Sequence, residues 1–230
     1  MKNKLFRCSG LFNLTPMAKV KGEVLSQTAK SYIRSVLKED HFDFRKFKGN
    51  KFTKKGNSLE DQAISLSGSK RFTTYEKNTI RANTPLLTGE ADIIDLDRKV
   101  IVDTKCTWDI STHPFFQEEA RDKAVKAGYD IQIHGYFMAF EHYYKEQGLD
   151  IKFEHGEIDF WLLPCPEDLL GKYDDREMMI DLVDSIPLEK RCTTLKIERD
   201  ESIIARIEEV IPHAQRYYKM LKLELIGDDL

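Results

Sequence analysis

Long apolar runs are missing from this sequence, and so are paired cysteines. No stretch approaches the ~18 consecutive apolar residues that a membrane-spanning helix needs, and residues 1–14 lack the apolar segment of a signal peptide. The four cysteines form no CxxC pair and are too widely spaced for a local zinc motif: Cys8, Cys106, Cys165 and Cys192. We therefore expect a cytoplasmic protein with reduced thiols that is neither secreted nor membrane-spanning.

Repeats, low-complexity tracts and linkers rich in Gly, Pro or Ser are also absent from the sequence. The 230 residues are 41% hydrophobic and 10% aromatic, which is enough to bury a sizeable core. This composition argues against a disordered chain and against a small disulfide-stapled scaffold. We expect a single domain over residues 1–230.

The formal net charge of −3 conceals an uneven distribution. Residues 1–81 contain 18 Lys and Arg against 7 Asp and Glu, a net +11, whereas residues 82–230 contain 18 against 32, a net −14. A basic segment joined to an acidic one suits a protein that binds a polyanion and holds a metal ion with carboxylates. Unevenly scattered surface charge would explain the same numbers.

The periodicity of apolar residues predicts an α/β domain, with a mixed central β-sheet flanked by helices. Ser26 is a candidate N-cap for a helix that runs to about residue 39, and Ser58 for a short helix after a basic stretch. Gly128 and Gly148 suit the C-termini of two further helices, at 114–127 and 130–147. The other predicted elements are a hairpin (91–96 and 100–106), strands at 158–163 and 193–198, and a last helix capped by Asp200 with a kink at Pro212.

The predicted hairpin concentrates the residues that carry chemistry. Because side chains alternate along a strand, Asp103 and Lys105 share one face. A two-residue turn at Asp97-Arg98 would place Asp92 directly across from Asp103, whereas a longer loop would shift the register. In either case the two carboxylates stay near each other.

Two carboxylates that face each other in an apolar strand pair repel, so a positive group is expected between them. A hard divalent cation such as Mg²⁺, which keeps several of its waters, suits this pair. Lys105 could orient or deprotonate a metal-bound water, or stabilise negative charge on a phosphate. The pattern favours phosphodiester hydrolysis by metal-activated water, although an isolated D-x-K is more often a plain ion pair at a sheet edge.

Further matches up- and downstream make this pattern specific. In chain order the motifs are Glu60 at the end of Lys55-Gly-Asn-Ser-Leu-Glu60, then Asp92, then Asp103-Thr104-Lys105, then Gln132-x-x-x-Tyr136. Together they resemble the PD-(D/E)xK nuclease superfamily, in the branch that holds RecB-type nuclease domains, lambda-type exonucleases and YqaJ-like viral recombination nucleases. Residues 108–116 also resemble the segment that follows the motif lysine in phage-type members. The resemblance spans residues 56–140 and implies a restriction-endonuclease-like core.

The resemblance implies a metal site next to a lysine that positions and activates water. It assigns the metal to three carboxylates and one backbone carbonyl: Glu60, Asp92, Asp103 and Thr104. The implied cofactor is Mg²⁺, with Mn²⁺ as a substitute. Gln132 and Tyr136, which share one face of their helix, would fix the lysine or the scissile phosphate, although a tyrosine taken by itself is more often a core residue.

Some positions depart from the family pattern. Ala91 stands where a proline commonly precedes the first aspartate, and Asp103 stands where Glu is common. Some relatives carry four cysteines for an iron–sulfur cluster, three of them near the C-terminus. Only Cys165 and Cys192 lie downstream here, so we expect no iron–sulfur cluster.

The basic N-terminal segment is the predicted DNA-binding surface, since its side chains could neutralise backbone phosphates. The candidates are Arg7, Ser9, Lys48, Lys51, Lys54 and Lys55. Arg7-Cys-Ser9 is similar in type to the Arg and Ser that contact the 5′-terminal phosphate in lambda-type exonucleases. A solvated basic loop is the alternative. We expect residues 1–55 to form a basic helix-and-loop region packed on a catalytic core of residues 56–230.

The resemblance implies a metal-dependent deoxyribonuclease, in first place a phage-type exonuclease that processes linear double-stranded DNA for recombination in the bacterial host cytoplasm. It implies DNA as the partner, with a single-strand annealing recombinase and a homo-oligomer as further candidates, and no membrane. One alternative is an endonuclease of the same superfamily. The other is an inert nucleic-acid-binding protein on a nuclease-like scaffold, which the chemically competent motif residues disfavour.

Overall fold

The computed structural model describes residues 3–226. Its strands are β1 (Phe6–Arg7), β2 (Ala82–Asn83), β3 (Leu87–Gly89), β4 (Ile93–Asp95), β5 (Val100–Cys106), β6 (His155–Trp161) and β7 (Cys192–Glu198). Its helices are α1 (Leu11–Leu14), α2 (Gln27–His41), α3 (Lys51–Lys70), α4 (Gln117–Ala127), α5 (Tyr129–Glu146), α6 (Leu182–Ser185) and α7 (Glu201–Ile226). Short 3₁₀ or π turns occur at Cys8–Gly10, Glu167–Leu169, Glu177–Asp181 and Leu188–Lys190.

The central sheet has four strands in the order β4-β5-β6-β7. β5 and β6 run parallel, while the two outer strands pair antiparallel with their neighbours. The predicted α/β fold with a mixed central sheet is therefore confirmed. β4 and β5 pair with Ile93 opposite Val102, which is the register that the two-residue turn predicts. Asp92 lies just before β4, one residue beyond the last observed pair.

Helices cover both faces of this sheet. On one face, α5 and α7 pack with Ile101, Ile158 and Phe160 in the main core. On the other face, Ile64 of α3 packs with Ile93, Val100 and Val102 of the hairpin. The alternation of side chains along β5 accounts for the division, because Ile101 and Val102 point to opposite faces.

The boundaries of α3 correct the sequence prediction. The helix begins at Lys51, not at Ser58, because the Asn50 side chain accepts a hydrogen bond from the Thr53 amide at 3.0 Å and caps it. Gly56, which precedes the predicted cap by two residues, lies inside the helix at a cost of about 1 kcal/mol. The Ser58 hydroxyl instead donates to the Lys55 carbonyl within the helix. α3 therefore runs across the predicted division between residues 55 and 56.

Other helix ends agree with the predictions to within a few residues. Ser26 accepts a hydrogen bond from the Ala29 amide at 3.1 Å and caps α2. Gly128 has a φ of +72° between α4 and α5, and α7 begins directly after Asp200 and contains Pro212. α4 begins three residues later than predicted, and β6 begins three residues earlier.

A small second sheet, in the order β1-β3-β2, was not predicted. Its strands of two or three residues are too short to show alternation in the sequence. β1 runs parallel to β3, which places Arg7 opposite Thr88 and brings the N-terminal segment to the side of the hairpin.

Within residues 3–226, the helices all lack the combination of length and apolarity that would let them cross a bilayer.

Candidate active site

Four of the predicted residues line one cavity of about 410 Å³ beside the hairpin. Glu60 comes from α3, Asp92 from the residue before β4, and Thr104 and Lys105 from β5. The rest of the wall consists of Phe52, Thr53, Gly56, Asn57, Cys106 and Tyr129. The fold thus gathers carboxylates and a lysine from three elements around a single opening.

Asp103 and Lys105 form an ion pair between their side chains, as their shared strand face predicts. The Asp103 side chain is 3% exposed, so its charge depends on this partner. Burial raises the pKa of Asp103 to about 6, helped by the nearby Asp92 and Glu60 carboxylates and opposed by Lys105. Burial disfavours the charged Lys105, but Asp103 and Asp92 outweigh it and raise the pKa of the ammonium, which therefore stays protonated at neutral pH.

Thr104 fixes the orientation of Asp92. The Thr104 backbone amide donates to Asp92 Oδ2 at 2.7 Å, and the Thr104 hydroxyl donates to the same oxygen at 2.9 Å. Two donors on one oxygen leave Asp92 Oδ1 as the oxygen for a further ligand. Sequence reasoning considered only the carbonyl of Thr104; its role as a metal ligand stays a prediction.

Glu60 faces the cavity from α3 and is paired with a lysine that the sequence did not single out. Lys77 Nζ lies 2.6 Å from Glu60 Oε2, and the Glu60 side chain is 29% exposed. Lys77 comes from the irregular segment that follows α3, so no motif spacing points to it. This ion pair holds Glu60 by an exposed and therefore exchangeable contact.

The donor chemistry of this cluster fits a hard divalent cation. Asp92, Asp103 and Glu60 offer carboxylate oxygens, which Mg²⁺ prefers, and the Asp92 and Glu60 charges help to raise the pKa of Asp103. Within residues 3–226, however, no three acidic, His or Cys side chains converge into a closed set of metal ligands. Each carboxylate has instead an oxygen engaged by Lys77, Thr104 or Lys105. One or two carboxylates plus waters suffice for Mg²⁺, so the residues present fit this ion.

Gln132 and Tyr136 share one face of α5, as predicted, and they contact each other directly. Gln132 Nε2 donates to the Tyr136 hydroxyl at 2.6 Å. Tyr136 is 4% exposed, and burial raises the pKa of its hydroxyl, with the Asp103 charge acting in the same direction. The phenol therefore stays protonated next to the Asp103–Lys105 pair.

Tyr129 is a further wall residue that the motif search missed. Lys105 Nζ lies 5.1 Å from the centroid of the Tyr129 ring, within the range of a cation–π contact. Tyr129 is the first residue of α5 and follows Gly128, so the helix start delivers its ring to the lysine. In the sequence, the only indication of Tyr129 is that it lies three residues before Gln132, a spacing that makes two residues neighbours on a helix.

Arg7 and Ser9 line a second, smaller cavity of about 120 Å³ that adjoins Tyr136. Arg81, Thr88, Gly89 and Glu90 complete its lining with Cys8. Arg81 forms an ion pair with Glu90. Gly89 is required here, because a Cβ at this position would lie 2.7 Å from Cys8 Sγ and 3.0 Å from the Tyr136 ring.

The four predicted DNA-binding lysines differ in their surroundings. Lys48 and Lys54 are exposed, and Lys51 is half-exposed and paired with Asp174 at 2.6 Å. Lys55 corrects the prediction: it is 1% exposed, and its Nζ donates to the Trp108 carbonyl at 2.6 Å. Burial lowers the pKa of Lys55, and its ammonium does not reach the surface to contact DNA.

The comparison with solved structures decides the family. The structure of a phage-related exonuclease from Haemophilus somnus 129PT is 43% identical to this chain, covers 97% of both chains and superposes with a TM-score of 0.89. The chain belongs to this exonuclease family. No protein-family model matches the sequence, and no curated protein matches it.

Two further solved structures share the fold at much lower sequence identity. LHK-Exo, an alkaline exonuclease from Laribacter hongkongensis, is 14% identical, with a TM-score of 0.59 over 98% of this chain and 93% of its own. The structure of LHK-Exo in complex with dAMP gives a TM-score of 0.57 at 14% identity, over 96% and 93%. These two similarities show the fold alone, whereas membership of the phage-related exonuclease family supports a nuclease activity.

Proposed function

We propose that this exonuclease-family chain is a Mg²⁺-dependent deoxyribonuclease of the PD-(D/E)xK superfamily that degrades linear double-stranded DNA from its ends. The observation that carries the proposal is the cavity that Asp92, Glu60 and Lys105 line together, with the Lys105 ammonium paired to the buried Asp103 carboxylate. Mn²⁺ should substitute for Mg²⁺, since both accept carboxylate oxygen ligands.

Asp92 and Asp103 would hold the metal ion, with Glu60 joining them directly or through water once it releases Lys77. The Thr104 carbonyl is a further candidate ligand. When bound, Mg²⁺ polarises the phosphoryl oxygen and lowers the pKa of its water. Thr104 keeps Asp92 in one orientation through its two hydrogen bonds.

Lys105 acts in this proposal as a fixed positive charge. Its raised pKa keeps the ammonium protonated, so it donates hydrogen bonds to the attacking water or to the developing charge on the phosphate. The protonated Tyr136 hydroxyl, held by Gln132, is a second donor on the same side.

The small cavity next to Tyr136 would receive a phosphate at the DNA end. Arg7 and Ser9 supply a guanidinium and a hydroxyl, and Arg81 lies in the same lining. Lys48, Lys51 and Lys54 would neutralise backbone phosphates farther along the duplex without reading sequence. Recombination as the biological role, an annealing recombinase as partner, a homo-oligomer and the host cytoplasm as location remain parts of this proposal.

The test incubates the purified protein with end-labelled linear duplex, single-stranded DNA and covalently closed circles, with Mg²⁺ or with EDTA. We expect Mg²⁺-dependent loss of the linear duplex and intact circles. Lys105→Ala and Asp103→Ala should abolish cleavage while binding in EDTA persists, and Lys126→Ala, an exposed lysine outside the cavity, serves as the control. Cut circles would show an endonuclease, and binding without any cleavage would show an inert scaffold.

A further inference from the structure

One aromatic side chain of the active-site cavity has no part in metal or phosphate binding. Phe52, in the first turn of α3, lines the cavity together with Asp92 and Lys105. It is 50% exposed, so part of its ring is open to the cavity side. The accessible part of its ring therefore borders the space in which the scissile phosphodiester would lie.

The position of Phe52 is fixed by Trp108. The two rings meet edge to face, with centroids 4.9 Å apart and an angle of 79° between their planes. The two rings thus form one rigid aromatic corner, and of the two only Phe52 lines the cavity. Trp108 comes from the segment directly after β5, so the corner joins α3 to the strand that carries Lys105.

Two lysines contact Trp108 and hold it in position. The buried Lys55 ammonium binds the Trp108 backbone carbonyl at 2.6 Å, which explains why this lysine is turned inward. Lys51 Nζ lies 4.6 Å from the centroid of the Trp108 ring and is itself held by Asp174. The corner is thus organised before any ligand arrives, which lowers the entropic cost of binding to it.

A flat, half-exposed aromatic ring beside a phosphodiester site is suited to one partner, a nucleobase. Stacking on an aromatic side chain tolerates every base, because each presents a π face. We propose that Phe52, held by Trp108, stacks on the base of the nucleotide bound at the cleavage site, so that the site requires a base without distinguishing which one. This inference rests on the proposed nuclease function and names a positioning contact within it.

The test combines changes in the protein with removal of the base. Linear duplexes carry, at both termini of the labelled strand, either normal nucleotides or tetrahydrofuran abasic analogues, so the polarity of digestion does not matter. Single-turnover cleavage rates and apparent Kd values are measured for the wild type, Phe52→Ala, Phe52→Leu and Phe52→Tyr. Phe72→Ala, which removes a 100% exposed phenylalanine just beyond the other end of α3, is the matched control.

We expect base removal to slow the wild type and the Phe72→Ala control about 5- to 150-fold, which corresponds to ~1–3 kcal/mol of stacking. Phe52→Ala and Phe52→Leu should be slowed to a similar extent on normal DNA, yet lose almost nothing more on abasic ends. Phe52→Tyr should keep the wild-type pattern. The Leu variant retains apolar volume, so its melting temperature separates a loss of stacking from a loss of folding.

A second readout needs no cleavage. The fluorescence of a terminal 2-aminopurine, in DNA that the protein binds in EDTA, should be quenched by the wild type and quenched less by Phe52→Leu. Equal sensitivity to base removal in the wild type, Phe52→Ala and Phe52→Leu would overturn the stacking inference and leave the nuclease proposal intact. No cleavage of any DNA by the wild type would refute the nuclease proposal instead. The 2-aminopurine fluorescence alone would then test the contact between Phe52 and the base.

Discussion

Arg71, which directly follows α3, ties that helix to the sheet through a buried ion network. Its guanidinium donates to Glu157 Oε2 at 2.6 and 2.9 Å, and to the two Asp159 carboxylate oxygens at 2.6 and 2.9 Å. The Asp159 side chain is fully buried, and among residues 3–226 Arg71 is the only cation paired with it. Glu157 has a second partner, Arg98, at 2.7 Å. Replacing Arg71 by Met should therefore leave one buried carboxylate without a counter-charge.

The expected loss of stability follows because Glu157 would keep a cationic partner and Asp159 would not. Breaking a buried ion pair by removing one partner costs about 3–5 kcal/mol, because the remaining charge is uncompensated. We assign this loss to Asp159, since Arg98 still neutralises Glu157. For a chain of this length it corresponds to a fall in Tm of roughly 6–10 °C.

The assay is urea and thermal unfolding of the wild type, Arg71→Met and the double variant Arg71→Met/Asp159→Asn. The double variant removes the orphaned charge, so it should recover at least half of the loss. A deficit in Arg71→Met below about 1 kcal/mol, or no recovery in the double variant, would refute the buried-charge reasoning.

The network should also make stability depend on acidity. Burial opposes the ionisation of Glu157, but the Arg98 and Arg71 guanidinium groups outweigh it and lower its pKa to about 2. A lowered pKa in the folded state means that the stability contributed by Glu157 is complete above its ordinary pKa of about 4.5 and is lost as the pH falls through 2. The free energy of unfolding of the wild type, measured in urea, should therefore fall between pH 4.5 and 2, and because Arg98 remains, Arg71→Met should keep part of this fall.

Two further predictions concern the active-site cavity, and a third concerns the smaller cavity next to Tyr136. Because the pKa of Asp103 is raised to about 6 and Mg²⁺ requires the carboxylate, the apparent affinity for Mg²⁺ should weaken below pH 6. A higher Mg²⁺ concentration should therefore move the acid limb of the pH–rate profile to lower pH. An acid limb that does not move with Mg²⁺ concentration would contradict this. Thr104→Val removes one donor to Asp92 and should slow cleavage roughly tenfold, whereas Thr104→Ser should retain it; equal rates in the two variants would count against the orienting role. Arg7→Gln should slow digestion of 5′-phosphorylated ends about tenfold and of 5′-hydroxyl ends little, and uniform slowing would place Arg7 on the duplex backbone.

The hairpin could be predicted from the sequence because its geometry is local. A turn of two residues fixes the pairing on both sides, and the alternation of side chains then places Asp103 and Lys105 together. The shared face of Gln132 and Tyr136 follows in the same way from the helical period. These parts of the site need no knowledge of the remaining chain.

The parts that could not be predicted depend on tertiary contacts. Gly56 and Asn57 indicate a turn by their own preferences, yet packing of α3 on the sheet keeps them helical. Lys55 belongs to a basic run that is typical of a surface, and only the folded chain shows the Trp108 carbonyl that holds it inside. Lys77 reaches Glu60 from a segment without regular structure, which no periodicity describes.

Because α3 is uninterrupted, it fixes the distance between two residues that line the active-site cavity. Phe52 and Glu60 are eight residues apart on it, which sets them about 12 Å apart along the axis. Inserting or deleting one residue between them would turn one side chain by ~100° relative to the other and move it by ~1.5 Å. Both could then no longer border the same cavity, so the length of this half of the helix is fixed by the site even where its individual side chains are exposed.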